Sequence, residues 1–183
     1  MSENPFCGRY RKTAIILARP HVRASAMKVK LKNGKPAAEE AIASIEAVVG
    51  PLSESVRNFL VRHDGAEPEI NSFSVGDKCG SGVRRFIPAS EILQHRKYID
   101  GVPQTAYPVA QDDCGNFVFV DEARSGAVYF WDHELLDDPV ELAPTFDAFL
   151  DLLAPFDAST IQLKPGQVKR VWVDPDFRRK LKQ

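Results

Sequence analysis

The sequence predicts one α+β domain, and three observations support this prediction. Apolar residues recur at helical spacing between Pro36 and Gly65, and again between Thr145 and Pro155. The segment Tyr107–Glu134 contains β-branched and aromatic runs that alternate with polar turns, as strands and their connections do. The 183 residues, 44% hydrophobic and 27% charged, suit one globular domain with terminal extensions.

We divide the chain into three parts. Residues 1–27 show no sustained periodicity and are predicted to be an N-terminal extension, with Met27 as an alternative first residue. Residues 28–154 carry the regular patterns and are predicted to be the domain. Residues 155–183 are predicted to be a C-terminal extension, with a hairpin around Pro165-Gly166 followed by a basic tail.

Two helices are predicted near the start of the domain, after an alternating edge strand over residues 28–32. The first helix starts at Pro36 and stops at Gly50-Pro51. The second is capped by Ser53 and ends at Gly65. The apolar faces are Ala38, Ala41, Ile42, Ile45, Val48 and Val49 in the first helix, and Val56, Phe59 and Leu60 in the second.

A β-rich stretch and a third helix come next. Residues 70–75 and 83–87 are predicted to be strands around a polar, glycine-rich loop over residues 76–82. The loop lacks the Gly-Lys-Ser/Thr end of a phosphate-binding loop, so no phosphate site is predicted. Residues 90–98 are predicted to form a short helix with Ile92 and Leu93 turned inward.

The segment Tyr107–Glu134 is predicted to supply the central strands. Its runs cover residues 107–110, 117–121 and 127–134. The last two are β-branched and aromatic, which suits strands that are covered on both faces. A last helix follows, capped by Thr145 and closed by Pro155. Its apolar face is Phe146, Phe149, Leu150 and Leu153.

The charges are unevenly distributed. Residues 31–167 contain 22 acidic and 11 basic residues, whereas both termini are basic. An acidic body argues against a nucleic-acid-binding core, which needs clustered Lys and Arg, and favours a partner with a basic surface; simple solubility is the other interpretation. No apolar run approaches the ~20 residues of a membrane-spanning helix, and Cys7, Cys79 and Cys114 lie far apart. We therefore expect a soluble, cytoplasmic protein with reduced thiols.

No specific catalytic pattern is present. Asp132-His133-Glu134 comes closest, but strand alternation would turn His133 away from the two acids, which argues against a three-ligand metal site. The Asp112–Asn116 segment lacks the ligand spacing of a calcium loop, and we interpret it as a tight turn in which Gly115 has a conformation that other residues resist. We predict no catalytic residue, metal or cofactor.

The order of the motifs resembles the SUKH superfamily, specifically its Smi/Knr-type domains. The resemblance spans about residues 36–154 and rests on the segments Leu52–Ala66, Tyr107–Asn116, Gly126–Glu134 and Leu142–Leu150. Ser53 stands where the family usually has proline, and His63-Asp64 where asparagine is common before glycine. The resemblance implies a central, mostly antiparallel sheet flanked by helices, and a protein without known catalytic residues.

The resemblance also implies a function. In bacteria such domains look like immunity proteins that bind and neutralise a cognate toxin, here one with a basic surface such as a nuclease. A scaffold or regulatory binding module without a toxin is the alternative, and a hydrolase using His133 is a remote one. The acids predicted to face the partner are Asp112, Asp113, Asp132, Glu134, Asp137 and Asp138.

Overall fold

A computed structural model describes residues 29–75, 79–99, 101–134, 138–156, 166, 170, 172 and 174–180. The helices are α1 (Glu39–Val49), α2 (Glu54–His63), α3 (Ala89–His95), α4 (Phe146–Leu152) and α5 (Pro175–Lys180). Short 3₁₀ turns cover Arg96–Tyr98 and Glu122–Arg124. None of the helices in these ranges is long and apolar enough to cross a membrane.

Within the described residues, the strands form one large sheet and two small ones, all antiparallel. Their bounds are β1 (Leu31–Lys32), β2 (Glu67–Pro68), β3 (Ser72–Val75), β4 (Cys79–Gly82), β5 (Arg85–Phe86), β6 (Ala106–Gln111), β7 (Phe117–Asp121), β8 (Ala127–Trp131) and β9 (Val140–Ala143). Strands β5 to β9 pair in chain order, while β1 pairs with β2 and β3 with β4. The α+β fold with an antiparallel central sheet is therefore confirmed.

Aromatic side chains join the helices to the sheet. Phe59 of α2 contacts Phe86 of β5 and Phe146 of α4, with ring centroids 4.6 and 5.1 Å apart. Phe73 of β3 lies 5.7 Å from both Phe130 of β8 and Phe149 of α4. The hairpin β3–β4 and the helices thus share one core with the large sheet, and burying such rings stabilises the fold.

The predicted strands of the central segment are confirmed. Every residue of β7 is buried, and so are all but the last of β6 and of β8, as strands covered on both faces require. The helix prediction also holds for α4, where the Thr145 hydroxyl accepts a hydrogen bond from the Ala148 N–H at 3.2 Å. Phe146, Phe149, Leu150 and Leu153 are all buried.

Details of the first helices differ from the prediction. Ala38 lies before α1 as its exposed N-cap, and Val48 is 40% exposed. The buried face of α1 is therefore narrower than the apolar face that the sequence predicts. Ser53 is the N-cap of α2, but its hydroxyl does not cap the helix. It donates instead to Glu122 Oε1 at 3.2 Å, a contact across 69 positions of sequence.

Three strands, β2, β4 and β9, were not predicted. β2 consists of only two residues, too few to show the alternation of a strand. β4 occupies the second half of the predicted loop, because the small residues Gly80, Ser81 and Gly82 pair closely with β3. β9 pairs with β8 through a register shift, so it has no regular alternation that the sequence reveals.

Little of the C-terminal extension falls within the described residues. Most of the predicted hairpin around Pro165-Gly166 lies outside them. Helix α5 lies in the predicted basic tail, and the Asp174 carboxylate accepts a hydrogen bond from the Phe177 N–H at 3.1 Å. The division into two extensions and a domain stays a prediction.

Candidate partner-binding surface

One end of the five-stranded sheet collects most of the predicted acids. In this antiparallel sheet, β6 and β8 end where β5, β7 and β9 begin, as the pairs Arg85↔Gln111, Gln111↔Phe117, Phe117↔Trp131 and Phe130↔Val140 show. We call this the acidic end of the sheet, formed by residues 111–116, 131–134 and 138–140. It contains Asp112, Asp113, Asp132, Glu134 and Asp138. Asp137, the sixth predicted acid, lies outside the described residues.

Asp112 organises the acidic end from below its surface. Its side chain is buried, with 6% exposed. Oδ1 accepts hydrogen bonds from the backbone N–H groups of Cys114 and Asn116, both at 2.8 Å. Oδ2 accepts from the Asn116 amide at 2.9 Å and from the Ser81 hydroxyl at 3.0 Å. With both oxygens engaged, Asp112 holds the turn, and we revise the prediction that it contacts a partner directly.

Asn116 links this turn to the end of β8. Its side chain is also buried, and its Oδ1 lies 3.2 Å from the His133 backbone nitrogen and 2.8 Å from His133 Nδ1. Gly115 has a φ of 95°, which confirms the predicted tight turn and the need for glycine in it. Two segments that carried the family resemblance are thus joined by direct hydrogen bonds.

The segment after β8 corrects the prediction based on strand alternation. β8 ends at Trp131, and the Asp132 Oδ1 accepts a hydrogen bond from the Glu134 backbone N–H at 2.9 Å. The carboxylate therefore folds the chain into a turn, so the period-two rule does not apply to His133 and its neighbours. His133 and Glu134 are exposed, and Asp132 is half-buried.

The exposed acids here have few cationic neighbours. Asp113, whose side chain is 79% exposed, lies 3.7 Å from Arg84 Nε. No ion pair to Asp132, Glu134 or Asp138 occurs within the described part of the chain. Residues 101–156 contain 11 acids and a single base, Arg124, so this half of the domain has a strong negative charge. A positively charged surface would be attracted to it.

An open groove of about 780 Å³ borders the acidic end. Asp113 and Ser81 line it on one side, and Leu152 and Phe156 line it on another. These two apolar side chains are 50% and 67% exposed. A partner held by the acids would therefore meet accessible apolar surface next to them.

The opposite end of the sheet, which we call the closed end, consists of Thr105 and residues 121–126. Asp121 is buried there and accepts hydrogen bonds from the Thr105 hydroxyl at 2.7 Å and the Ala123 N–H at 3.1 Å. Glu122 Oε1 accepts from the Ser53 N–H at 2.9 Å and the Tyr107 hydroxyl at 2.6 Å. Burial and the adjacent Glu122 carboxylate raise the pKa of the Tyr107 hydroxyl far above its ordinary value.

Four residues of these networks have contacts that the sequence did not predict. Asn116 was placed in the tight turn without a side-chain role, Thr105 and Glu122 were assigned no role, and Ser81 was placed in a loop. The contact of Asn116 with His133 could have been predicted. Asn116 directly precedes β7, and in an antiparallel pair the residue before one strand lies beside the residues that follow its neighbour, as the pair Phe117↔Trp131 shows. No local signal marks Glu122, because its partner Ser53 is distant in sequence.

The fold and its motifs agree with a comparison against protein families. The chain matches the SMI1 / KNR4 family (SUKH-1) over residues 36–152, from just before α1 to the end of α4. Because the match covers well over half of the chain, the protein belongs to this family. A comparison with curated proteins found no match. The family consists in general of non-catalytic, immunity-type domains and indicates that the chain binds a protein partner.

Proposed function

We propose that this protein is an immunity protein that binds a cognate bacterial toxin and neutralises it by covering the toxin's active surface. The observation that carries the proposal is the acidic end of a sheet in a SUKH-1 family fold. The direct contacts with the toxin would be made by Asp113, Asp132, Glu134 and Asp138, and by Asp137, which lies outside the described residues. Asp112 positions the turn below these acids.

Charge indicates which toxin surface would fit. A nuclease needs clustered Lys and Arg to hold its nucleic acid, and those side chains form a basic cleft. Acids without described ion pairs would attract that cleft over several ångströms and accelerate the encounter. The groove beside Asp113, with Leu152 and Phe156 exposed, would add apolar contact after docking. Such a complex would block the cleft without chemistry by this chain.

The experiment begins with a pull-down from the native host, with the partner identified by mass spectrometry. The isolated toxin domain is then mixed with the wild-type protein and with the triple variant Asp132→Asn, Glu134→Gln, Asp138→Asn. Asparagine at 132 keeps the oxygen that accepts the Glu134 N–H. We expect association of the variant to be about ten-fold slower at low salt, and the difference to shrink as salt is added.

A matched control carries Glu40→Gln, Glu54→Gln and Glu67→Gln. These acids are exposed, have no ion pair among the described residues, and lie in the first half of the domain. The control changes the net charge equally, so general electrostatics would slow both variants alike. Equal rates for the two variants would contradict the assignment of the acidic end. A captured partner that is a housekeeping protein without toxic activity would favour the scaffold alternative.

A further inference from the structure

His133 is an exposed residue of the acidic end, and a hydrogen bond with the buried Asn116 side chain fixes the orientation of its ring. The Asn116 amide nitrogen donates to Asp112 Oδ2 at 2.9 Å, so the amide oxygen is the atom that faces the ring. That oxygen lies 2.8 Å from His133 Nδ1. An amide oxygen can only accept a hydrogen bond, and Nδ1 must therefore carry a proton.

The other ring nitrogen is left as the acceptor. In a neutral imidazole with a proton on Nδ1, Nε2 has a free lone pair. Nε2 has no hydrogen-bond partner in the described parts of the chain, and His133 is exposed. The position of the ring is also restricted: the Trp131 ring centroid lies 6.4 Å away, and a Cβ built on Gly115 would meet His133 Cε1 at 3.7 Å.

We propose that His133 Nε2 accepts a hydrogen bond from an arginine or lysine side chain of the protein partner. Asn116 and Asp112 are the positioning residues that keep the ring in its accepting tautomer. The inference rests on the proposed function for the identity of the partner. Asp132 and Glu134 flank His133 in the chain, and their negative charge favours a cationic donor over a neutral one.

The first part of the experiment measures the tautomer in the free, full-length protein. Ring-nitrogen chemical shifts of His133, which distinguish the two tautomers, are recorded by NMR at about pH 8. We expect a protonated Nδ1 and an unprotonated Nε2. Free histidine prefers the opposite tautomer, so Asn116→Ala should shift the population towards a proton on Nε2. A wild-type ring with its proton on Nε2 would overturn the inference, whether or not Asn116→Ala folds.

The second part tests the donor. The wild-type protein is titrated with N-acetyl-arginine methylamide, and with the citrulline analogue as a neutral control of the same shape. We expect the arginine probe to move the Nε2 resonance in a saturable way, the citrulline probe to move it much less, and His133→Phe to bind arginine about five-fold more weakly. Phenylalanine keeps a planar ring beside Trp131 but has no acceptor.

The two proposals can fail separately. An arginine probe that perturbs Asp132 and Asp138 without moving Nε2 would overturn the role of His133, while the toxin could still bind through the acids. A pull-down that returns no toxin would contradict the proposed function. The tautomer and the arginine contact would in that case still establish His133 as an acceptor for a cationic partner of another kind.

Discussion

The two ends of the central sheet use similar devices for different purposes. At the closed end, the buried Asp121 and the half-buried Glu122 accept hydrogen bonds from Thr105, Tyr107 and Ser53, and the start of α2 packs onto the turn. At the acidic end, the buried Asp112 accepts four hydrogen bonds in a similar way, but exposed acids surround it instead of a helix. A carboxylate with several hydrogen-bond donors can thus either join two elements of a fold or fix the conformation of a turn that lies at the surface.

The difference also concerns charge. Arg124 Nε approaches Asp121 Oδ2 to 3.9 Å at the closed end, so the buried acid there has a cation beside it. At the acidic end, Arg84 pairs with the exposed Asp113, and no ion pair to the buried Asp112 occurs among the described residues. Neutralising the buried acids should therefore have structural consequences at either end, whereas neutralising the exposed acids of the acidic end should change binding.

Removing the buried carboxylate of the acidic end should have the largest effect. Asp112→Ala leaves the N–H groups of Cys114 and Asn116, the Asn116 amide and the Ser81 hydroxyl without their acceptor. We expect a loss of about 3 kcal/mol or more in the free energy of unfolding, measured by urea denaturation. Asp121→Ala, which has fewer hydrogen-bond donors, is the matched variant at the closed end. A smaller loss for Asp112→Ala than for Asp121→Ala would contradict this ranking.

Tyr107→Phe tests the closed end and has a defined pH dependence. At neutral pH we expect a loss of about 1–2 kcal/mol, because Glu122 loses a buried donor. The pKa of Tyr107 is raised in the folded state, so ionisation above its ordinary value of about 10 favours the unfolded chain. Wild-type stability should therefore fall as pH rises beyond about 10, and its advantage over Tyr107→Phe should shrink. A constant difference between pH 7 and 11 would argue against a buried, neutral Tyr107.

Gly115→Ala should have an intermediate effect. The φ of 95° is costly for alanine, and we expect a loss of about 1 kcal/mol in the free energy of unfolding. The new Cβ would meet the His133 ring at an ordinary contact distance of 3.7 Å, so strain rather than collision causes the loss. Thermal unfolding measures it, with Gly101→Ala, at a φ of 74° in open space, as the control. A loss well above that of Gly101→Ala would show that the His133 contact matters too.

Neutralising the exposed acids should have the smallest effect on folding. The triple variant Asp132→Asn, Glu134→Gln, Asp138→Asn removes no described ion pair and retains the turn at Asp132. We expect its free energy of unfolding to stay within about 0.5 kcal/mol of the wild type, or to rise as repulsion is relieved. Denaturation in urea at low salt would reveal the change. A marked loss of stability would assign these acids to the fold rather than to a surface.

The sequence predicted the local features of this protein well. Helical periodicity located α1, α2 and α4, and β-branched and aromatic runs located β6, β7 and β8. The glycine requirement at Gly115 was also predicted, because it depends on the chain's own backbone. The sequence did not reveal β2, which has only two residues, or β4 and β9, where small residues and a register shift hide the pattern.

The sequence by itself determined the helices, the buried strands, the tight turn and the excess of acids. Only the tertiary structure decided which acids share a surface, because antiparallel register brings residues 112–116 and 131–134 to the same end of the sheet. It also decided that Asp112 is buried, that Asn116 orients His133, and that Ser53 bonds to Glu122. Periodicity and turn preferences are properties of neighbouring residues, whereas these contacts depend on how distant segments pack together.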